Sequence, residues 1–334
     1  MLATPELTRP ALLDRATRYL ELAWRDDALF PFSTRLLDGR LVHDYDHPHT
    51  RRYTINSLLG LQDAEKIGAF VEKQLPRVTN PGDRGLAAVL LGDVVDLDGA
   101  APTTMQERCW LLWGAVASGR DALAERLYRE LVARCVDSRS GLPRHSLARH
   151  RRRILSFGAC VYFLRALHEY AAATGDAAAA ALFENGVERM LAIQGPQGEW
   201  PWMIDVPTGI PLDVYPVFAV HQDAMAMLFL LPALDAGMDV RDAIRRSLAW
   251  VDGANELGEP LWIDEPPLLW RSIRRDEPLR PQRRYVRSLA RAVGHRPGSY
   301  ASARVVVNRE CRSYHPGWIL YVWSQRPDAA ELLA

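Results

Sequence analysis

Residues 194–205 read Gln194-Gly195-Pro196-Gln197-Gly198-Glu199-Trp200-Pro201-Trp202-Met203-Ile204-Asp205, and from Thr208 the chain continues T-G-I-P-L-D-V-Y-P-V-F-A-V-H-Q-D to Asp223. The stretch leaves an alanine-rich helical segment, gathers Gly, Pro and Trp into a loop, and enters another helix through His221, Gln222 and Asp223. Gly and Pro stop the first helix, and an acidic residue in the first turn suits the start of the second. A polar, aromatic loop feeding a His/Gln/Asp cluster at a helix start is the composition of a binding or catalytic rim.

Outward from this loop, helical periodicity dominates. Strand-like alternation is confined to 303–307. About a dozen helical segments begin near Pro10, Arg51, Ala64, Asp83, Thr103, Asp121, Arg152, Asp176, Val217, Val240, Pro281 and Tyr314, most of them bounded by Gly, Pro or Asn/Asp. They are of two kinds. Segments such as 120–136 (RDALAERLYRELVARCV) and 239–251 (DVRDAIRRSLAWV) carry one charged face and suit an outer position. Segments 55–61, 86–91, 156–167 and 224–234 are apolar or small nearly all round, which requires burial on all sides. The rough alternation of the two kinds predicts an all-α fold, an (α/α)6-like toroid of about six helical hairpins. The expected domain is single and spans 1–334.

Composition narrows the function. Lys+Arg and Asp+Glu both total 41, so the basic excess of a nucleic-acid-binding surface is missing. Lys occurs only at Lys66 and Lys73, and the Arg-for-Lys bias with abundant Ala matches a high-GC codon signature. Cys109, Cys135, Cys160 and Cys311 are widely spaced, which predicts free thiols in a reducing compartment. The N-terminal segment has no apolar secretion core, and the longest apolar run, 224–234, is shorter than the ~20 residues of a membrane span. A cytoplasmic location is the expectation, and the oligomeric state is not legible.

The segment from Gln194 to Trp200 has the form Q-x-x-x-G-x-W after an outer-type helix. It resembles the QW motif of the terpenoid cyclase and protein prenyltransferase α/α toroids, and also the Q-x-P-x-G-x-W-P loops of toroid enzymes that act on polysaccharides. The resemblance implies a toroid in which Gln ties down a helix end and Trp stacks over it, stapling neighbouring hairpins. The catalytic motifs do not follow. Residues 93–99 (DVVDLDG) lack the paired acids of D-x-D-D, no D-D-x-x-D diphosphate motif occurs, and Cys311 and His315 have no Asp at the prenyltransferase spacing.

In a toroid the parallel inner helices share an N-terminal rim, where free N–H groups favour anions. The starts of the inner-type helices are polar: His49, Arg51, Arg52 and Tyr53; Asp83 and Arg84; Gln106 and Arg108; His221, Gln222 and Asp223; Arg312, Tyr314 and His315. Such groups suit an acid/base enzyme acting on an anionic or polyhydroxylated small molecule or glycan, by preference a uronate-type sugar, through lyase, epimerase or hydrolase action. His221 or the Tyr314/His315 pair would move the proton, with Asp223, Asp205 or Asp213 as carboxylate partner. Arg52, Arg84, Arg108 and Arg312 would hold negative charge. Trp200, Trp202, Tyr215, Tyr53 and Gln222 would line the substrate. His43, His47 and His49 share a Pro-containing segment that predicts a surface loop and no metal site. Nucleotide, zincin and α/β-hydrolase motifs are absent, so no cofactor is expected. Two alternatives stand beside this expectation. One is a terpenoid cyclase-like or prenyl-diphosphate-binding enzyme, its cavity lined by Trp110, Trp113, Trp200 and Trp202. The other is a non-catalytic toroid scaffold.

Overall fold

The computed structural model of the chain describes residues 9–148, 151–277, 286, 288–291, 294 and 304–327. The helices are α1 (Arg9–Ala23), α2 (Thr50–Leu61), α3 (Ala64–Lys73), α4 (Pro81–Leu91), α5 (Met105–Ala117), α6 (Asp121–Cys135), α7 (Phe157–Thr174), α8 (Ala177–Leu191), α9 (Met227–Asp235), α10 (Arg241–Val251) and α11 (Tyr314–Trp323). A π-helical segment, His221–Met225, leads directly into α9. Local chemistry starts several of them. Asn80 accepts from the Asp83 amide ahead of α4, Asp176 accepts from the amides of Ala178 and Ala179, and Thr104 with Glu107 forms a reciprocal capping box on α5.

Six segments close a ring: α2, α4, α5, α7, the π segment with α9, and α11 each pack on the next, and α11 returns against α2. Glycines set the closest approaches and show that neighbours run parallel. Gly82 lies against Glu107, and one turn on Gly85 lies against Trp110 and Leu111. Gly317 lies against Asn56 and Ser57, and Gly60 against Gly317 and Leu320. Outside the ring, α1 packs on α11, α6 on α5, α8 on α7, and α10 on the π segment and α9. The outer helices are amphipathic as expected: α6 buries Ala124, Leu127, Tyr128 and Leu131, and α10 buries Ala243, Ile244, Ser247, Leu248 and Val251. Between α4 and α5 the return is a 3₁₀ turn, Gly92–Val94, and a loop in place of an outer helix. The architecture is an (α/α)6-like toroid.

The predicted helix starts at Arg152 and Val217 shift to Phe157 and His221, because the residues ahead of them are strands. The strands are β1 (Ser33–Leu37), β2 (Arg40–Asp44), β3 (Ile154–Ser156), β4 (Met203–Asp205), β5 (Pro211–Asp213), β6 (Val217–Phe218), β7 (Trp262–Ile263), β8 (Leu268–Leu269), β9 (Ser272–Arg275) and β10 (Val305–Asn308). They form small antiparallel sheets, β1–β2, β3–β4–β5, β6–β9–β10 and β7–β8. Runs this short carry little period-2 signal and exist through partners remote in sequence. Of the expected strand at 303–307, β10 is the described part, and the helix start expected at Pro281 lies outside the described residues.

The Gln194–Trp200 loop is a staple. The Gln194 side-chain amide lies 3.0 Å from the carbonyl oxygens of Gly198 and Ala243 and from Ser247 Oγ. Trp200 Nε1 donates to the same Ser247 Oγ at 2.9 Å, and Arg246 donates to Gln194 Oε1 at 2.7 Å. The exit of α8 is thereby fastened to α10, with the Trp200 ring fully buried.

A Cβ on Gly60 would overlap the Gly317 carbonyl oxygen, with backbone on both sides unable to move away, whereas a Cβ on exposed Gly68 in α3 meets nothing. Gly60→Ala is expected to destabilise the protein by about 1–3 kcal/mol. Gly68→Ala is expected to stabilise it by about 0.5–1 kcal/mol. Urea unfolding midpoints of the two variants check both signs, and equal midpoints would refute the backbone contact.

Candidate active site

The N-terminal ends of the inner helices enclose a cavity of about 190 Å³. Helical spacing puts its lining on single faces: Tyr53 and Asn56 from α2, Gln106 and Trp110 from α5, Gly158 and Tyr162 from α7, and His221 and Met225 from the π segment. Arg52, Tyr314, His49 and Trp202 complete much of the wall. The aromatic groups brace one another. The Tyr53 and Tyr314 ring centroids are 4.5 Å apart, Trp110 meets Tyr162 edge-on at 5.0 Å, and the Arg52 guanidinium lies 4.9 Å from the Trp110 ring centre.

The π segment decides which group faces which way. The Ala226 amide reaches back five residues to the His221 carbonyl at 3.1 Å, adding a residue to the turn. His221 then lies at the cavity between the rings of Phe157 and Phe218, at centroid distances of 4.6 and 4.9 Å. Asp223 points instead toward α11, where its carboxylate meets His315 Nε2 at 2.7 Å. Trp323 Nε1 donates to the Asp223 carbonyl at 2.7 Å.

Burial sets the electrostatics. It pushes the His221 imidazole down to about 3, with His315 and Arg271 adding to the effect, so His221 is neutral at neutral pH. Burial raises the phenols of Tyr53 and Tyr314 above their usual range against the pull of Arg312 and Arg271, so both keep their protons. Asp83 sits behind the cavity, ion-paired with Arg52, and burial still raises its carboxyl above the ordinary value. Three polar atoms of the wall are buried without a partner among the described residues: Asn56 Oδ1, Trp110 Nε1 and His221 Nδ1. Buried polar atoms are nearly always satisfied, so three such residues in one wall make it an unusually polar one. Among the described residues lining this cavity none is Asp or Glu.

Of the residues singled out from the sequence, His49, Arg52, Tyr53, Gln106, Trp110, Trp202, His221 and Tyr314 line the cavity. The others are engaged elsewhere. Asp223 partners His315, not His221. Asp205 is held by Arg153 in a two-bond fork, Asp213 pairs with Arg275, and Tyr215 donates to Glu256. Arg84 pairs with Asp96, Arg108 with Glu130, and Arg312 with Glu310 while lying over Phe32. Gln222 is buried and donates to the Phe218 carbonyl, and Trp200 belongs to the staple. The apolar-cavity alternative counted on Trp113 and Trp200, yet both are buried in packing; Trp113 stacks on Trp318.

Asn56, Ser156 and Tyr162 were not picked out as cavity groups. They sit within or at the edge of apolar segments and read as core, and only the parallel ring brings them to one level. In the predicted histidine loop, His43 is instead on β2, bonded through Nδ1 to Thr34, while His47 and His49 precede α2. Among the described residues no cluster of three or more His, Cys, Asp or Glu is placed to hold a metal ion, and no helix is long and apolar enough to cross a membrane.

No protein-family model and no curated protein matches the sequence. Solved structures do match the fold. A possible member of the GH105 family from Klebsiella pneumoniae aligns with a TM-score of 0.56 at 12% identity, over 95% of this chain and 92% of that one. A glycosyl hydrolase of family 88 from Bacteroides vulgatus gives 0.55 at 11% over 96% and 99%. An unsaturated glucuronyl hydrolase from Streptococcus agalactiae gives 0.56 at 11% over 96% and 93%. These likenesses correct the resemblance to terpenoid cyclases and prenyltransferases: the solved toroids that share this fold are glycosyl and glucuronyl hydrolases. The Gln/Trp staple misled because it is a packing device, and it ties α8 to α10 whatever reaction the ring encloses.

Neutral His221 carries a stability signature. In the unfolded chain its imidazole titrates near ~6.5, and in the folded protein near about 3. Between these values the unfolded state binds the extra proton, so this contribution is fully present above the unfolded value and is lost as pH falls toward the folded one. His221→Asn is expected to lose less stability than the parent between neutral and mildly acidic pH. Urea midpoints at the two pH values test this; parallel losses would refute it.

Proposed function

We propose that the protein is a carbohydrate-active enzyme performing acid/base chemistry on a uronate-type sugar or glycan at the His221 cavity. The observation that carries this proposal is a cavity at the shared helix N-termini lined together by His221, Arg52, Tyr53, Tyr314, Trp110 and Trp202. Sugar hydroxyls and a ring carboxylate supply partners for the polar groups of such a wall. Trp110 and Trp202 offer flat faces to a sugar ring, and Arg52 offers a guanidinium to its carboxylate. The cavity, about 190 Å³, suits a ligand of the size of one sugar ring. The toroid neighbours named as unsaturated glucuronyl hydrolases support the substrate class.

In this proposal the bound sugar carboxylate offsets the desolvation that disfavours the charged imidazole, and His221 accepts a proton from the carbon next to that carboxylate. The electron pair left behind spreads into the carboxylate, where Arg52 faces it. Tyr53 or Tyr314, still protonated, returns a proton to carbon or to a departing oxygen. A lyase or epimerase follows from this assignment. A hydrolase would need a carboxyl at the reacting bond; Asp83, ion-paired with Arg52 behind the wall and with its carboxyl raised by burial, is the candidate if substrate draws Arg52 away. The four buried free thiols fit a cytoplasmic setting.

The test is turnover of uronides and unsaturated glucuronides. His221→Ala is expected to lower kcat by about 10²–10⁴-fold, and Arg52→Gln to raise KM by about tenfold or more. Loss of turnover in Asp83→Asn with His221→Ala still active would transfer the proton to Asp83. Full activity in both would remove the chemistry from this cavity.

A further inference from the structure

A second cavity of about 300 Å³ lies on the other side of the first turn of α2. The chain divides the turn between the two: His49, Arg52 and Tyr53 face the cavity above, while His47, Thr50 and Arg51 face this one. The opposite wall comes from Arg25, Asp27, Gln74 and Arg77.

Its charges are unevenly spent. Arg25 forks onto Asp27 and lies over the Tyr45 ring at 4.0 Å, so the first acid is neutralised in place. Gln74 is buried, donates to the Asp27 carbonyl at 2.7 Å, and accepts from Arg51 Nε at 3.1 Å. That bond aims the Arg51 guanidinium while leaving it without an ion pair among the described residues. Arg77 is exposed and likewise has no ion pair among the described residues. Asp46 is the acid left to face both. Burial, with Arg312 adding to it, holds the His47 imidazole below its usual range, so His47 contributes no fixed charge.

Two further features have one sign. The first turn of α2, a 12-residue helix, opens here, and its N-cap, His49, gives it no side-chain hydrogen bond. Helix N-termini present N–H groups and positive potential. Thr50 at 3% exposure lines the cavity, and its Oγ1 is buried with no partner among the described residues.

We propose that this cavity is a second anion site, which takes the carboxylate, sulfate or phosphate group of a ligand between Arg51, Arg77 and the first turn of α2. The ligand oxyanion accepts from the two guanidinium groups, and Thr50 Oγ1 donates to it on turning about χ1 toward the cavity. Arg forks match this geometry. The site does not rest on the chemistry assigned to His221. It shares with that cavity the 47–53 segment, in which His47 stacks on Phe32 at 3.3 Å and Phe32 stacks on Tyr53 at 4.9 Å.

The test is calorimetric titration of the full chain with inorganic phosphate and, separately, with D-glucuronate at fixed ionic strength. Phosphate is expected to bind, and binding is expected to weaken by about tenfold or more in Arg51→Gln and in Arg77→Glu while persisting in His221→Ala. Arg77 is exposed, so its variant keeps the fold even if Arg51→Gln does not. Glucuronate showing the same variant pattern would extend the site to sugar acids; phosphate alone showing it would restrict the site to phosphate groups. No binding of either probe, or binding indifferent to Arg77→Glu and Arg51→Gln, would overturn the proposal. Failure of the His221 chemistry would leave the phosphate isotherm unchanged.

Discussion

Gly60 and Gly317 meet backbone to backbone, and the ring of inner helices closes there. The helices that meet, α2 and α11, are separated by most of the chain, so closure is a long-range contact whose loop entropy is offset only by close packing. A side chain at either glycine would hold the helices apart. Separation would also open the cavity, because Tyr53 and Tyr314, one from each helix, stand 4.5 Å apart at the same end. The same device recurs where Gly85 meets Gly114 between α4 and α5. Ring closure and site assembly are therefore a single packing event.

The π segment is the second constraint. One extra residue in a helical turn weakens the regular ladder, and such turns persist where other contacts hold them. Here Asp223 supplies both contacts, through its carboxylate to His315 and its carbonyl to Trp323. A buried hydrogen bond adds little net stability, but removing one partner leaves the other unsatisfied at a larger cost. Its effect is to fix the orientation of the segment, and that leaves His221 as the member of the triplet facing the cavity. Asp223 positions; it does not line the cavity.

Much of the architecture was legible because burial leaves a pattern. Segments apolar all round became inner helices, and segments with one charged face became α6 and α10. The staple was legible as a staple, since Gln194 and Trp200 act on neighbouring hairpins within a short span of chain. Its family attribution failed because the same side-chain mechanics serve unrelated reactions. The site was half legible. Helix starts pointed to the rim where the candidate cavity lies, and His221, Tyr53, Tyr314 and Arg52 line it. Arg84, Arg108, Asp205, Asp213 and Tyr215 have the same residue chemistry, but partners remote in sequence hold them elsewhere, among them Asp96, Glu130, Arg153, Arg275 and Glu256. A sequence displays the charge of a residue and not the countercharge that folding brings to it. Tyr162 and Asn56 failed in the opposite direction, as polar groups that read as core until the ring placed them at one height.

The electrostatic character of the main cavity follows from the same burial. Desolvation penalises charge, so His221 is pushed toward its neutral form and Asp83 toward its protonated one. Groups whose environments move them in this way are the usual carriers of acid/base work. Guanidinium groups respond differently, because their intrinsic basicity is too high for burial to remove the charge. Arg52 lies in the wall, and Arg312 and Arg271 share Glu310 just behind Phe32 and Phe218. Glu310 is one acid divided between two guanidiniums, whereas Arg52 has Asp83 beside it. In the proposed reading a carboxylate on the sugar ring would answer the guanidinium charge that Glu310 leaves over, which a neutral polyol would not.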